Sequence, residues 1–303
     1  MTTAAPDWSV TAETVQCPLC DYNLRGLTQP RCPECGYAFD WQDLVDPQRR
    51  RHEYLFEHHP RRPIRAFFKT ITRSFRPGRF WKTLYPSQPV NTRRLVVYGL
   101  ICSFVALSPA LAAIAATDDA IFPRTRAASL RLIWSTTWSG YARAPTLNGL
   151  DYVRYFLINQ RDAIVYAASA AAIYPLLCAL TLLLFHQTMR NARIKPGHAI
   201  RVAIYSGDIV FWFGVWLLAL AAASGILMPD PFRDSYFVLR EGIAFGAVAV
   251  LLLTSLRMRA GYRHYLRFPH ASATVAATQL MVLLLIIWFV PLSVFIELYN
   301  LFT

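Results

Sequence analysis

Four cysteines near the start of the chain carry its most specific chemistry: Cys17-Pro18-Leu19-Cys20 and Cys32-Pro33-Glu34-Cys35, with eleven residues between the pairs. Each Cys-x-x-Cys offers two thiolates from a tight turn. Two such turns facing each other complete a four-sulfur shell around a tetrahedral ion and leave no position open, which points to one structural zinc. The turn residues agree. Pro18 and Pro33 fix φ directly after the first cysteine of each pair. Gly36 follows Cys35, where the chain must curl back toward the sulfurs, and Asp21, a residue type tolerant of positive φ, holds the matching place after Cys20.

Other uses of the four thiols compare poorly, with one exception. A redox Cys-x-x-Cys comes singly, at the head of a helix in a βαβ unit, and that pattern does not surround these pairs. Two disulfides would need an oxidising compartment. Iron stays open beside zinc, because ligand type alone does not separate them. Residues 15–40 are too few to enclose a hydrophobic core, so metal binding, on the order of 10–16 kcal/mol in such peptides, would supply their folding free energy. Arg25 and Arg31 either offset the negative charge of a metal–tetrathiolate centre or are plain solvated arginines.

The rest of the chain must position this module, and its composition says where. Of 303 residues, 55% are hydrophobic and only 16% charged, and the mean hydropathy is +0.30. That departs from an average soluble domain. Five windows approach bilayer length: Leu95–Ala116, Ala163–Phe185, Ile204–Met228, Val238–Leu256 and Val275–Leu298. The fourth has the shortest uncharged stretch, Gly242–Leu256, and needs Arg240 to snorkel to the interface. No apolar run precedes Cys17, so the first span is expected to serve as an uncleaved insertion signal.

Of the 31 Lys and Arg residues, 23 fall before Leu95 or in the loops after the second and fourth spans, against 8 on the other side. With five spans, this bias puts the N-terminus in the cytoplasm and the C-terminus outside, in the inner (cytoplasmic) membrane of the cell. The cysteines then lie where thiols stay reduced. The net charge of +13 finds a sufficient partner in anionic lipid headgroups at the cytoplasmic face, worth about 1 kcal/mol per basic residue, and nucleic acid is disfavoured.

Residues 41–94 read as a basic juxtamembrane segment. Ile64, Phe67, Phe68, Ile71 and Phe75 recur at helical spacing with Arg65, Lys69 and Arg73 on other faces, and Pro77-Gly78 interrupts before Phe80, Trp81, Leu84 and Tyr85. Such a helix lies flat in the headgroup layer, or else packs on the ribbon or another subunit. The stretch Gln48–Arg51 with His52, Glu53, Glu57, His58 and His59 lacks ligand spacing and reads as a charged, solvated helix. The outer loop 117–162, with Trp134, Trp138, Tyr141, Tyr152, Tyr155 and Phe156, is expected to form short surface helices.

Signs of a reaction are few. Asp208 and Tyr205, at the start of the third span, and His186, at the matching end of the second, form a candidate intramembrane polar site. The alternative for Asp208 is an interfacial carboxylate near a helix start, and Glu297 has the same alternative. Cys102 and Cys178 read as small hydrophobes. His-Glu-x-x-His, Gly-x-Ser-x-Gly and a phosphate-cradling Gly-rich loop are missing, so no catalytic residue is assigned. Pro109, Pro175 and Pro291 interrupt spans without an accompanying charge. Ala106/Ala110, Ala168/Ala172 and Gly242/Gly246 permit close helix approach, within a bundle or in a homo-oligomer.

Two stretches resemble known families. Cys17-Pro18-Leu19-Cys20, Tyr22-Asn23-Leu24-Arg25-Gly26-Leu27 and Arg31-Cys32-Pro33-Glu34-Cys35-Gly36 resemble the N-terminal zinc ribbon of a group of uncharacterised bacterial membrane proteins, which implies zinc on the four cysteines. The membrane half, about Phe67 to Leu298, resembles the Yip-type five-span family through Phe67–Trp81, Lys195–Ser206 and Tyr262–Ala273. That resemblance implies a cytoplasmic N-terminal region before five helices, associated in eukaryotes with small-GTPase binding; the loop 117–162 is longer than its pattern.

The expected architecture is an all-α integral membrane bundle of five transmembrane helices carrying a small N-terminal four-cysteine zinc ribbon. Residues 1–14 are expected to be disordered, 15–40 form the ribbon, 41–94 the juxtamembrane segment and 95–303 the membrane domain. The expected function is non-catalytic: the ribbon docks a protein partner and the bundle fixes it at the bilayer. A transporter, channel or lipid-handling protein is the alternative, and a membrane-tethered nucleic-acid binder the third.

Overall fold

The computed structural model describes residues 15–46, 50–116, 160–184, 194–227, 234–267 and 271–289, together with Val153, Leu157 and Ile158. Regular structure among them is helical, with two isolated antiparallel bridges, Gln16 with Asn23 and Arg31 with Ala38. The expectations for residues 1–14, for most of the loop 117–162, and for His186, Pro291 and Glu297 lie outside the described residues.

The helices begin where the sequence offers start signals. Asp40 accepts the Gln42 N–H on its side chain and caps α1, Trp41–Val45. Proline occupies the first turn of α2 (Pro63–Arg73), α3 (Pro77–Thr83) and α6 (Pro196–Gly207), where its missing N–H costs nothing. The Pro77-Gly78 interruption therefore both ends one helix and starts the next. The longer helices are α4 (Thr92–Ala116), α5 (Arg161–Leu184), α7 (Ile209–Leu227), α8 (Asp234–Ala260, leading into a π-helical turn at Gly261–Tyr265) and α9 (Ala271–Phe289).

Four stretches are long and apolar enough to cross a membrane: Thr92–Ala116, Arg161–Leu180, Pro196–Ala223 (α6 with α7) and Glu241–Tyr265. Helix α9 adds a shorter apolar stretch, Ala271–Leu284. The chain is a helical membrane protein. The third span begins at Pro196, eight residues before the expected Ile204, and the fourth runs past the expected Leu256 to Tyr265. Both windows were cut short by arginines, Arg201 and Arg257, whose side chains are buried beside carboxylates and so do not end the span.

The chain divides into two compact units. The first comprises Met1–Leu100, Tyr174–Asp208 and Thr254–Thr303. Its core is a run of touching aromatic rings: Phe56, Phe67, Tyr98, Tyr205, Phe80, Trp81 and Tyr265, with successive centroids 5.2–6.1 Å apart. These are tilted and edge-on pairs, the arrangement that aromatic quadrupoles favour. Gly261 lets the π-turn close on α3, since a Cβ there would stand 3.1 Å from the Trp81 ring.

This core corrects two expectations. The five apolar residues of the juxtamembrane stretch do not share one fate: Phe67 and Ile71 are buried, while Ile64 and Phe68 are 74% and 53% exposed. Helix α2 is thus fixed to the protein by its inner edge through Phe67, and only its outer edge is available to lipid. The stretch from His52 to His59 is no solvated helix. It runs alongside α2, where the Thr70 hydroxyl accepts the Phe56 N–H at 3.0 Å, and it ends in a single 3-10 turn, Phe56–His58. His52 and Glu57 are buried, because each has polar partners inside.

The second unit comprises Ile101–Ile173 and Ile209–Leu253. Ala106, Ala110, Ala168 and Ala172 are buried as their spacing suggested, and the Ser103 hydroxyl donates to the Ala172 carbonyl at 3.0 Å. A close helix approach also occurs at Gly214, where a Cβ would stand 2.8 Å from the Ala106 Cα. Helix α4 continues through Pro109; the Val105 carbonyl, which loses its usual N–H partner there, accepts the Ser108 hydroxyl at 2.8 Å.

Candidate metal centre

The four cysteines converge. Their sulfurs all lie within 4.8 Å of one another, with Cys17 Sγ 3.6 Å from Cys35 Sγ and Cys20 Sγ 3.5 Å from Cys32 Sγ. Sulfurs about 2.3 Å from a tetrahedral centre stand roughly 3.8 Å apart, so the set fits one ion. The distances are far too long for disulfides, and the thiols are free. Cys17 and Cys32 are buried and Cys20 and Cys35 half-buried.

Two equivalent turns build the site, one around each cysteine pair. The Asp21 N–H donates to the Cys17 carbonyl and the Gly36 N–H to the Cys32 carbonyl, each at 3.0 Å. The Cys17 N–H donates to Tyr22 O at 2.8 Å and the Cys32 N–H to Tyr37 O at 2.9 Å. Asp21 and Gly36 hold φ of 63° and 70°, the left-handed conformation that the two turns need. Without an ion the Cys17 thiol is pushed up by its hydrogen bond with Cys35 and by burial, and Cys20 is pushed up to about 12, mainly by burial. Four thiolates this close need a cation among them. The four cysteines could hold a metal ion.

The first turn is anchored on helix α6. The Lys195 N–H donates to Leu19 O at 3.0 Å, Lys195 Nζ stands 2.5 Å from Asp21 Oδ1, and His198 Nε2 donates to Pro18 O at 2.9 Å. That bond sets the tautomer of His198, so its Nδ1 accepts the Tyr265 hydroxyl at 2.6 Å. Tyr265 Oη in turn accepts Arg201 Nη1 at 2.8 Å. At the second turn Pro33 and Glu34 are exposed, Arg31 Nε donates to the Gly36 carbonyl, and the Arg267 guanidinium stacks over the Tyr37 ring at 5.4 Å.

Behind the anchor, α6 carries a buried polar stripe. His198, Arg201, Tyr205 and Asp208 follow at spacings of three, four and three, which brings them onto one helix face. Arg201 Nε lies 2.9 Å from Glu57 Oε1, and its Nη groups donate to the Gln88 and Pro89 carbonyls at 3.1 and 2.7 Å. Glu57 also accepts the Tyr205 hydroxyl at 3.1 Å and the Asn91 N–H at 3.0 Å. Asp208 pairs with Arg257 and accepts the Tyr98 hydroxyl at 2.8 Å. The interfacial reading of Asp208 is therefore wrong: its side chain is wholly buried and paired, because Arg257 reaches it from α8. Asp208 and Tyr205 do share a face, but each is committed to a different ion pair. Arg201, Arg257, His198 and Tyr265 were not singled out as site residues from the sequence, and Glu57 was read only as part of a solvated helix; a lone arginine four residues before Tyr205 was the available signal. No family model matches the chain, and neither does any curated protein or solved structure.

Proposed function

We propose that this protein is a non-catalytic scaffold of the inner membrane. Its cysteine cluster carries one structural zinc on Cys17, Cys20, Cys32 and Cys35, and its ribbon docks a protein partner on the cytoplasmic side. The observation that carries this reading is the asymmetry of the ribbon. One turn is tied to a membrane-crossing helix through Lys195 and His198, while the other presents Pro33 and Glu34 outward. A metal site anchored at its first turn suits presentation of the exposed Pro33 and Glu34 of the second. The positive-inside bias supports five spans with the C-terminus outside.

A photo-crosslinking residue at Glu34, introduced into the full chain in cells, tests the docking. The expected result is one defined adduct that disappears in the Cys32→Ser/Cys35→Ser variant. Absence of an adduct at Glu34 and at the other exposed ribbon positions would reject docking. A cytoplasmic reporter active at the C-terminus would reject five spans.

The buried Asp208–Arg257 pair favours a second reading, a transporter using the bundle, since ionisable groups at membrane depth commonly mark a transport path. Loss of flux in a folded Asp208→Asn variant would select it.

A further inference from the structure

Beside the start of the first span lies a cleft of about 1000 Å³ whose cations are arginines. Arg51, Arg61, Arg62 and Arg93 line it, all four are exposed, and none makes an ion pair or side-chain hydrogen bond among the described residues. Cations left so close together repel unless an anion joins them. The single carboxylate in the lining, Glu57, offers no competition: Arg201 and Tyr205 occupy one oxygen and the Asn91 N–H the other. The two histidines are committed as well. His58 Nε2 donates to Pro89 O and its Nδ1 accepts the His52 N–H, while His59 Nε2 donates to His52 O.

The floor of the cleft adds donors of the right kind. Helix α4 begins at Thr92, and the Asn91 side chain caps only the Arg94 N–H, at 3.2 Å. The Thr92 and Arg93 amides belong to the first turn, which has no intrahelical partners and attracts negative charge. Apolar surface follows directly on both sides of the cleft in the chain. Two residues after Arg62, α2 exposes Ile64 and, one turn on, Phe68; three residues after Arg93, α4 exposes Val96 and Val97 at 44% and 47%. A cationic cleft flanked by such residues matches an amphiphile with an anionic head.

We propose that this cleft binds one phosphate group, carried by a membrane phospholipid of net negative headgroup charge, with the arginines on the phosphate and Ile64 and Phe68 against the acyl region. Arginine is suited to this, because its planar fork bonds phosphate oxygens in pairs. The inference rests on the membrane reading of α4, which is checked separately by whether the full chain needs detergent for extraction. It does not depend on what the ribbon docks.

Native mass spectrometry of the full chain in detergent, titrated with phosphatidylglycerol, phosphatidylcholine or inorganic phosphate, tests it. One phosphatidylglycerol is expected to bind at least tenfold more tightly than phosphatidylcholine. Arg62→Gln/Arg93→Gln should remove that preference, whereas Arg76→Gln/Arg79→Gln, of equal charge loss at the start of α3, should keep it. Ile64→Ser/Phe68→Ser should weaken the lipid and leave inorganic phosphate unchanged. Equal binding of the two lipids, or an equal loss in both arginine pairs, would overturn the site. Inorganic phosphate binding as tightly as the lipid would overturn the lipid as its source.

Discussion

Arg201 and Glu57 face each other at 2.9 Å with both side chains fully removed from solvent. The pair joins a membrane helix to the 3-10 turn that precedes α2, and through Tyr265 and His198 it continues to the carbonyl of Pro18 in the ribbon. A continuous polar path therefore runs from the metal-binding turn along one face of α6. Desolvating two charges is costly, and the extra hydrogen bonds from Gln88 O, Pro89 O, Tyr205 and Asn91 N are what make the burial tolerable.

Removing one member should be severe. Arg201→Met leaves Glu57 buried without its cation, a loss of about 3–5 kcal/mol. For a chain of this size that lowers the thermal unfolding midpoint in detergent by roughly 10 °C. The double variant Arg201→Met/Glu57→Gln should recover a large part of that loss, since no uncompensated charge remains. Equal midpoints for the single and double variants would contradict the pairing.

Metal content separates the six cysteines. Elemental analysis of the purified chain should find one zinc per chain, and Cys35→Ser should bring this close to zero. Cys102→Ser and Cys178→Ser, at buried positions on α4 and α5, should leave it unchanged. Iron in place of zinc would keep the site and change only its occupant.

The stability of the first unit should depend on pH through His52. Burial pulls its pKa down from 6.5 to about 3. The unfolded chain therefore takes up a proton near pH 6.5 that the folded chain refuses until near pH 3. Stability from this residue is complete above pH 6.5 and falls as pH drops, by about 1.4 kcal/mol per pH unit within that window. The difference in unfolding midpoint between pH 7.5 and pH 5 should shrink in His52→Gln, which keeps a group able to bond Thr83. An unchanged difference would place the pH dependence elsewhere.

Helix approach in the second unit hinges on Gly214. Gly214→Val would drive a side chain into the backbone of α4 around Ala106, an overpacking cost of about 1–3 kcal/mol or more. Gly78→Ala, where a Cβ meets nothing within 4 Å, should be neutral. Thermal midpoints of the two variants in the same detergent make the comparison, and a neutral Gly214→Val would refute the close contact.

The metal ligands could be read from the amino acids because everything that brings them together is local. The short stretch from Cys17 to Cys35 holds all four sulfurs, and the proline and positive-φ positions that shape each turn sit next to the ligands themselves. The apolar windows were readable for a similar reason, since a span is a property of its own composition. Where charge interrupted that composition, the reading failed. Arg201 and Arg257 passed for loop cations and Glu57 for part of a solvated helix, because each is neutralised by a residue far along the chain. Tyr205 and Glu57 are 148 positions apart, and Arg257 and Asp208 are 49 apart. Whether a charge ends a helix at the water or lies buried inside the protein depends on which group the fold sets opposite it. No local pattern holds that information, and it comes into being only when α6, α8 and the turn before α2 pack together.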